Sequence, residues 1–200
     1  MKISYKEFLD LQIIPEASLY MILGGPYHLQ NEVQHRIERQ LNDDDTNIKN
    51  FIVDSDFSIN SFKNELELMP LFEPKKLIIL NIVSSSMPKN LSDMIMNFDI
   101  PKEISIIIKL DTQTASFKKT KTFEYFLKSY CIIEVLELKG IMLKNWVKQK
   151  FIKNKIKYSD GFFERLLEKN EGNTSAISQE LYKMSLLNIS DINTYFDYLQ

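Results

Sequence analysis

Short, nearly uninterrupted apolar runs limit what this chain can fold into more than any other feature. The runs are residues 19–23, 51–53, 76–82, 104–108 and 131–135. Between them lie helical stripes with apolar residues three or four positions apart, such as Leu29, Val33 and Ile37. Apolar strands that alternate with amphipathic helices are typical of a mostly parallel sheet covered on both faces. The pattern therefore predicts an α/β fold with a five-stranded sheet flanked by helices.

The pattern changes after Gly140, where helical stripes follow one another with no strand between them. A chain of 200 residues suits one medium domain with a small appendage. We therefore expect an α/β domain over residues 1–139 and a small all-helical domain over residues 140–200. Trp146 lies on the apolar stripe of the first helix of that second domain and is expected in its core.

Composition excludes several classes of function. A formal net charge of -2 supplies no overall attraction to nucleic acid or to an anionic membrane. Cys131 is the single cysteine and there are two histidines, so we expect no disulfide, no metal site and no cofactor. No apolar run approaches the roughly 18 residues of a membrane span, and the first residues lack the apolar core of a signal peptide. A cytoplasmic protein with no membrane partner is expected.

The turn Gly24-Gly25-Pro26-Tyr27 follows the first apolar run and precedes the first helical stripe. Phosphate-binding loops occupy this position in nucleotide-binding sheets, since the amides at a helix N-terminus can hold an anion. A working phosphate loop also needs a lysine and a hydroxyl residue directly after its last glycine, and neither is present here. The turn is therefore predicted to be structural, with weak anion binding as the alternative. No residue pattern predicts a catalytic group.

A stretch rich in lysine, residues 139–157, contains no acidic residue. Lys144, Lys148 and Lys155 are its candidate contacts to DNA or to a partner protein, because a basic stripe can follow phosphates. The alternative is that these lysines form the solvated face of a helix whose other face carries Leu143 and Val147. The sequence favours the solvated face and leaves DNA binding open.

Residues 69–72 read Met-Pro-Leu-Phe at the predicted end of a helix. Pro70 disfavours helical backbone at the residue before it, so the helix is expected to end near Met69. Leu71 and Phe72 then fall at a corner between that helix and the next strand, and such corners usually lie on the surface. Two large apolar side chains at this position are either part of the core or a contact for another protein.

Three stretches, in this order, resemble the delta subunit of the bacterial DNA polymerase III clamp loader. The first is the turn and helix start at residues 24–32, GGPYHLQNE. The second is residues 69–72, MPLF, followed by KKLIIL at residues 75–80. The third, residues 171–184, reads EGNTSAISQELYKM and is the most specific of the three.

The resemblance implies an AAA+-type α/β domain that has lost its ATP site, followed by a helical lid domain. In the family a Leu-Phe pair at the end of one helix inserts into a hydrophobic pocket of the sliding clamp, and Leu71 and Phe72 match that pair. Met69 matches a supporting contact. Pro70 stands where some members have a small polar residue, and it is expected to stiffen the corner.

The resemblance further implies a subunit without catalysis of its own that binds and opens the sliding clamp during DNA replication. Its expected partners are the clamp (the beta subunit) and the gamma/tau and delta prime subunits of the loader. Family members contact those subunits through a collar domain, and no stretch here corresponds to it, so the chain is expected to be a fragment without the collar. Contact with DNA in the assembled complex stays open. The alternatives are an AAA+ nucleotide-binding enzyme and a DNA-binding module that uses the lysine stripe.

Overall fold

The computed structural model describes residues 1–42, 46–68, 75–111, 117–157 and 160–187. Compact packing divides the chain into two units, Met1–Leu136 and Glu137–Gln200. The strands of the first unit are β1 (Lys2–Ser4), β2 (Leu19–Leu23), β3 (Thr46–Val53), β4 (Lys75–Ile82), β5 (Ile104–Leu110) and β6 (Cys131–Glu134). Its helices are α1 (Tyr5–Asp10), α2 (Tyr27–Leu41), α3 (Ile59–Glu67), α4 (Lys89–Asn97) and α5 (Lys121–Ser129), with a 3-10 turn at Phe117–Lys119.

The sheet has the strand order β1-β6-β2-β5-β4-β3. Every pair of neighbouring strands in it is parallel. The predicted α/β class is therefore confirmed. The predicted number of five strands is wrong, because the described residues form a 6-stranded sheet.

Two features of the edge strands account for this difference. Strand β1 has only 3 residues, too few to show a period, and it exists because it pairs with β6. Strand β3 begins at Thr46, well before the predicted start at Phe51, and most of its residues are exposed or half-buried. An exposed edge strand has no need of a continuous apolar run, so its polar half gives no apolar signal.

The core of the first unit lies on both faces of the sheet. On one face, buried residues of α3, α4 and α5 pack with alternate residues of the central strands, including Met21, Ile78 and Ile106. Helix α2 packs against β2 through a stripe of Leu29, Val33 and Ile37 that lies outside this cluster. All five residues of β2 are buried, as expected for a central strand covered on both faces.

In the second unit the described elements are α6 (Gly140–Lys153), α7 (Asp160–Lys169) and α8 (Thr174–Leu186). Apolar residues from all three helices form its core, and Trp146 is only 4% exposed. The Phe151 ring lies 5.9 Å from that of Phe162 and 6.4 Å from that of Phe163. The prediction that Trp146 is a core residue is confirmed.

Residues 171–173 make the chain reversal between α7 and α8. Glu171 and Gly172 both adopt left-handed backbone conformations, with φ of 48° and 73°, and the Gly172 amide donates to the carbonyl of Leu167. This pattern closes a helix C-terminus. The Asn173 side chain then accepts hydrogen bonds from the amides of Ser175 and Ala176 and begins α8. The Glu-Gly-Asn triplet therefore ends one helix and starts the next.

Candidate functional site

Helix α3 leads into the predicted clamp contact. Ser58 caps its N-terminus by accepting a hydrogen bond from the amide of Ser61, and Phe62 and Leu66 bury its inner face. The helix ends at Glu67, and the next residue, Leu68, is 62% exposed. Met69, Leu71 and Phe72 lie outside the described residues, so the surface corner expected there stays a prediction.

Lys76, the second residue of β4, fastens the C-terminal end of α3. Its ammonium donates to the carbonyls of Glu65 and Leu68 and pairs with the Glu65 carboxylate at 2.9 Å. The Lys76 side chain is 2% exposed. A buried ammonium is costly unless its three donors are used, and here each donor has an acceptor. The positive charge also suits the negative end of the helix dipole.

The first turn joins β2 to α2 at the carboxyl edge of the sheet. Gly24 and Gly25 both have φ of 76°, a region that side chains disfavour. The Gly24 amide donates to the carbonyl of Leu110 at 2.8 Å, so it is committed to β5. Pro26 has no amide hydrogen to offer an anion. Neither Gly24 nor Pro26 therefore offers an amide to an anion at this turn.

Side chains of α2 and β5 fill the space beside the turn. The Lys109 ammonium donates to Asn31 Oδ1 at 2.9 Å and lies 4.5 Å from the centre of the Tyr27 ring. Lys109 is 3% exposed. Gln30 Nε2 donates to the carbonyl of Gly24 and to Asp111 Oδ1, both at 3.0 Å. Lys109, which these contacts place at the turn, is therefore already bound by Asn31 and Tyr27 of the same chain. The absence of nucleotide binding at this turn stays a prediction.

The candidate lysines of the second unit have contacts within the protein. Lys144 pairs with Glu164 of α7 at 2.9 Å, although both side chains are about half exposed. The Lys148 ammonium lies 5.5 Å from the centre of the Phe163 ring. Lys155 has a φ of 55° and follows the end of α6, where its amide donates to the carbonyl of Ile152. These contacts favour a solvated helix face, and binding of DNA by these residues stays a prediction.

The sequence does not predict that Lys76 and Lys109 are buried and hydrogen-bonded. Lys109 lies inside a mostly apolar strand, and Lys76 lies at the start of one, directly after Lys75. The partners of each lysine lie on another element, so the sequence does not show which atoms satisfy the charge. The apolar pattern shows Lys76 only as the start of a strand and Lys109 only as a residue after one.

Two negative findings apply to the described residues. Across those ranges, no group of three or more His, Cys, Asp or Glu side chains is placed to hold a metal ion. None of the helices in the described part of the chain combines the length and apolar character needed to cross a membrane.

Solved structures that match this fold include a clamp loader protein and a branch migration motor. The Bacillus subtilis DNA clamp loader delta protein (YqeN) matches with a TM-score of 0.62 and 16% sequence identity, over 94% of this chain and 58% of that one. The Thermotoga maritima RuvB Holliday junction branch migration motor matches with a TM-score of 0.54 and 16% identity, over 88% of this chain and 58% of that one. At these identities the likeness shows the fold alone. The chain spans 58% of the length of both proteins.

The fold thus places the chain in a class that a clamp loader protein and a branch migration motor share. No curated protein sequence matches the chain. The family model for the DNA polymerase III, delta subunit, matches residues 20–136, which is more than half of the chain. The chain belongs to the DNA polymerase III delta subunit family. The matched range includes the first turn and residues 69–72.

Proposed function

We propose that this chain acts as the clamp-opening subunit of a DNA polymerase III clamp loader. The observation that carries this proposal is the delta-subunit match over residues 20–136. That range contains Leu71 and Phe72 between the end of α3 and the start of β4. The two side chains insert into an apolar pocket of the sliding clamp, and Met69 supports the contact.

Opening of a ring follows from differential binding. A ligand shifts an equilibrium only by the difference between its affinities for the two states. The chain therefore opens the clamp by binding the open or distorted ring more tightly than the closed ring. Full burial of a Leu or Phe side chain supplies roughly 1.5–3 kcal/mol each. A helix anchored by buried Phe62 and Leu66 delivers this energy with little loss of freedom on docking.

The proposal gives the chain no catalytic step and no ATP of its own. ATP acts in partner subunits, by exposing or hiding the clamp-binding surface. The expected partner subunits of the loader are the gamma/tau and delta prime proteins. Membership of the delta subunit family and the likeness to the Bacillus subtilis clamp loader delta protein support these partners. The first turn supports the same assignment, because Lys109 is already held by Asn31.

A double substitution, Leu71→Ala with Phe72→Ala, tests the proposal. The loss of both side chains is expected to weaken binding to the purified sliding clamp by roughly 100-fold or more. The free energy of unfolding is expected to change by less than about 0.5 kcal/mol, since the side chains are assigned to the surface. Binding is measured by surface plasmon resonance and stability by urea unfolding.

The matched control removes apolar surface elsewhere on the same unit. Ile52 is 63% exposed and Val83 is 67% exposed, and both lie at the β3 side of the sheet. Ile52→Ala with Val83→Ala is expected to leave clamp affinity within about twofold. A Phe72→Ala cost of about 3–5 kcal/mol in unfolding would instead place Phe72 in the core. Equal clamp binding by the Leu71→Ala, Phe72→Ala variant and the wild type would refute the proposed function.

A further inference from the structure

The buried lysine Lys76 connects the two ends of residues 69–74, the segment that contains Leu71 and Phe72. One end of the segment follows Leu68, whose carbonyl accepts a hydrogen bond from the Lys76 ammonium. The other end enters β4, where the Lys76 amide donates to the carbonyl of Glu103 at 2.8 Å. A single residue therefore holds both chain ends to the sheet.

The position of Lys76 in β4 makes this possible. Side chains alternate along a strand, so Lys76 shares a face with Ile78 and Leu80. That face packs against α3, because Phe62 and Leu66 belong to the same buried cluster as Ile78 and Leu80. The lysine side chain therefore points along the underside of α3 to its last carbonyls. An apolar residue of similar length would fill this space but leave the helix end without a partner.

We propose that Lys76 is a positioning residue for clamp binding. It fixes the points where segment 69–74 leaves α3 and enters β4, so that less conformational freedom is lost when Leu71 and Phe72 dock. This inference rests on the proposed function and names a further residue for it. Lys76 itself touches no clamp atom, since its side chain is buried beneath α3.

Substitution of Lys76→Met removes the ammonium and keeps the length of the side chain. Clamp affinity is expected to fall roughly tenfold, which corresponds to about 1.4 kcal/mol. The matched control is Lys63→Met on α3, the helix whose end Lys76 contacts, because Lys63 is 53% exposed and its pair with Glu67 at 3.7 Å lies on the surface. The control is expected to bind the clamp within about twofold of the wild type.

Two further measurements separate positioning from a general loss of stability. Hydrogen exchange of the amides near Leu68 and Lys76 is expected to become faster in Lys76→Met but not in Lys63→Met, while α4 keeps its protection. In a Leu71→Ala background the effect of Lys76→Met on clamp affinity is expected to shrink, because the two substitutions act on one contact. If Lys76→Met fails to fold, Lys76→Gln replaces it. Glutamine is polar, but its side chain is one atom shorter and uncharged, so the same loss of affinity is expected.

The outcomes for Lys76 and for the proposed function are distinct. A wild-type chain that does not bind the clamp overturns both. If the wild-type chain binds the clamp and the folded variant, Lys76→Met or its replacement Lys76→Gln, binds it as tightly, only the role of Lys76 is overturned. An affinity loss that is unchanged in the Leu71→Ala background also overturns it. Faster local exchange with a tenfold loss of affinity, reduced in that background, supports it.

Discussion

Gly25 shows how one residue of the first turn serves the fold. A Cβ atom built on Gly25 would lie 2.5 Å from Val135 Cγ1 and 2.8 Å from the Val135 carbonyl oxygen. Val135 directly follows β6, so the turn after β2 is pressed against the neighbouring strand. The glycine is needed both for this close approach and for its φ of 76°. Its presence is therefore explained without a bound phosphate.

Substitution of Gly25→Ala is expected to destabilise the chain by about 2–4 kcal/mol. Left-handed backbone costs a residue with a side chain about 1–2 kcal/mol, and the overlap with backbone atoms of Val135 adds a further cost. Urea unfolding measures the change. Gly161→Ala is the control, because Gly161 lies in α7 and has no atom within 4 Å of its built Cβ. That variant is expected to gain up to about 1 kcal/mol, and equal losses in both would contradict the explanation.

The residues that are predictable from sequence are those whose role depends on near neighbours. Ser58 and Asn173 belong to the residue types favoured at helix starts, and both cap helices through amides within three residues. Lys76 and Lys109 are not predictable, because their acceptors lie on other elements. The acceptors of Lys76 are on α3 or directly after it, and that of Lys109 is Asn31 of α2. Burial of a charge is decided by such distant partners.

Among the strands, too, some are predictable from the sequence and others are not. The four strands with continuous apolar runs, β2, β4, β5 and β6, are predictable because their positions are buried on both faces. The edge strand β1 and the first half of β3 give no such signal. Neither needs an apolar run, since pairing with one neighbour holds it in place. Periodicity thus reveals the centre of this sheet better than its edges.

Glu134 links β1 to the rest of the sheet by electrostatics. Its carboxylate pairs with Lys2 of β1 at 2.7 Å and with Lys118 at 2.6 Å. Burial raises the pKa of Glu134, but the hydrogen bonds and charges of Lys118 and Lys2 lower it more, so the pKa lies below its ordinary value. The charged form is therefore favoured in the folded state.

This shift predicts a pH dependence of stability. Because the folded-state pKa is lowered, the contribution of Glu134 is present above its ordinary pKa and is lost as the pH falls through the lowered value. Glu134→Gln is expected to destabilise the chain by about 1 kcal/mol at pH 7, since the lysines are partly exposed to solvent. Urea unfolding at pH 7 and at pH values below the ordinary pKa measures the difference. It is expected to shrink in acid, and a constant difference would contradict the ion-pair explanation.

For the whole molecule, both the proposed contact and the first turn fall within the range that matches the delta family. They belong to the first unit, Met1–Leu136. The lysine stripe belongs to the second unit and lies outside the matched range, and Lys144 pairs within that unit. The proposed clamp binding and the alternative, ATP binding, therefore both concern the first unit. Because the fold is shared with a branch migration motor, the fold alone does not decide.

Thermal unfolding of the whole chain tests the ATP-binding alternative, since a ligand that binds the folded state raises the melting temperature. With about 1 mM magnesium-ATP, a site with a Kd of about 1 µM would add about 4 kcal/mol of stability. For a chain of this length that is a rise of roughly 8–16 °C. We expect no rise beyond that of magnesium sulfate at equal ionic strength, because the turn lacks the lysine and hydroxyl of a phosphate loop and Asn31 already holds Lys109. A rise of several degrees with magnesium-ATP but not with magnesium sulfate would indicate nucleotide binding at the first turn and would favour the enzyme alternative.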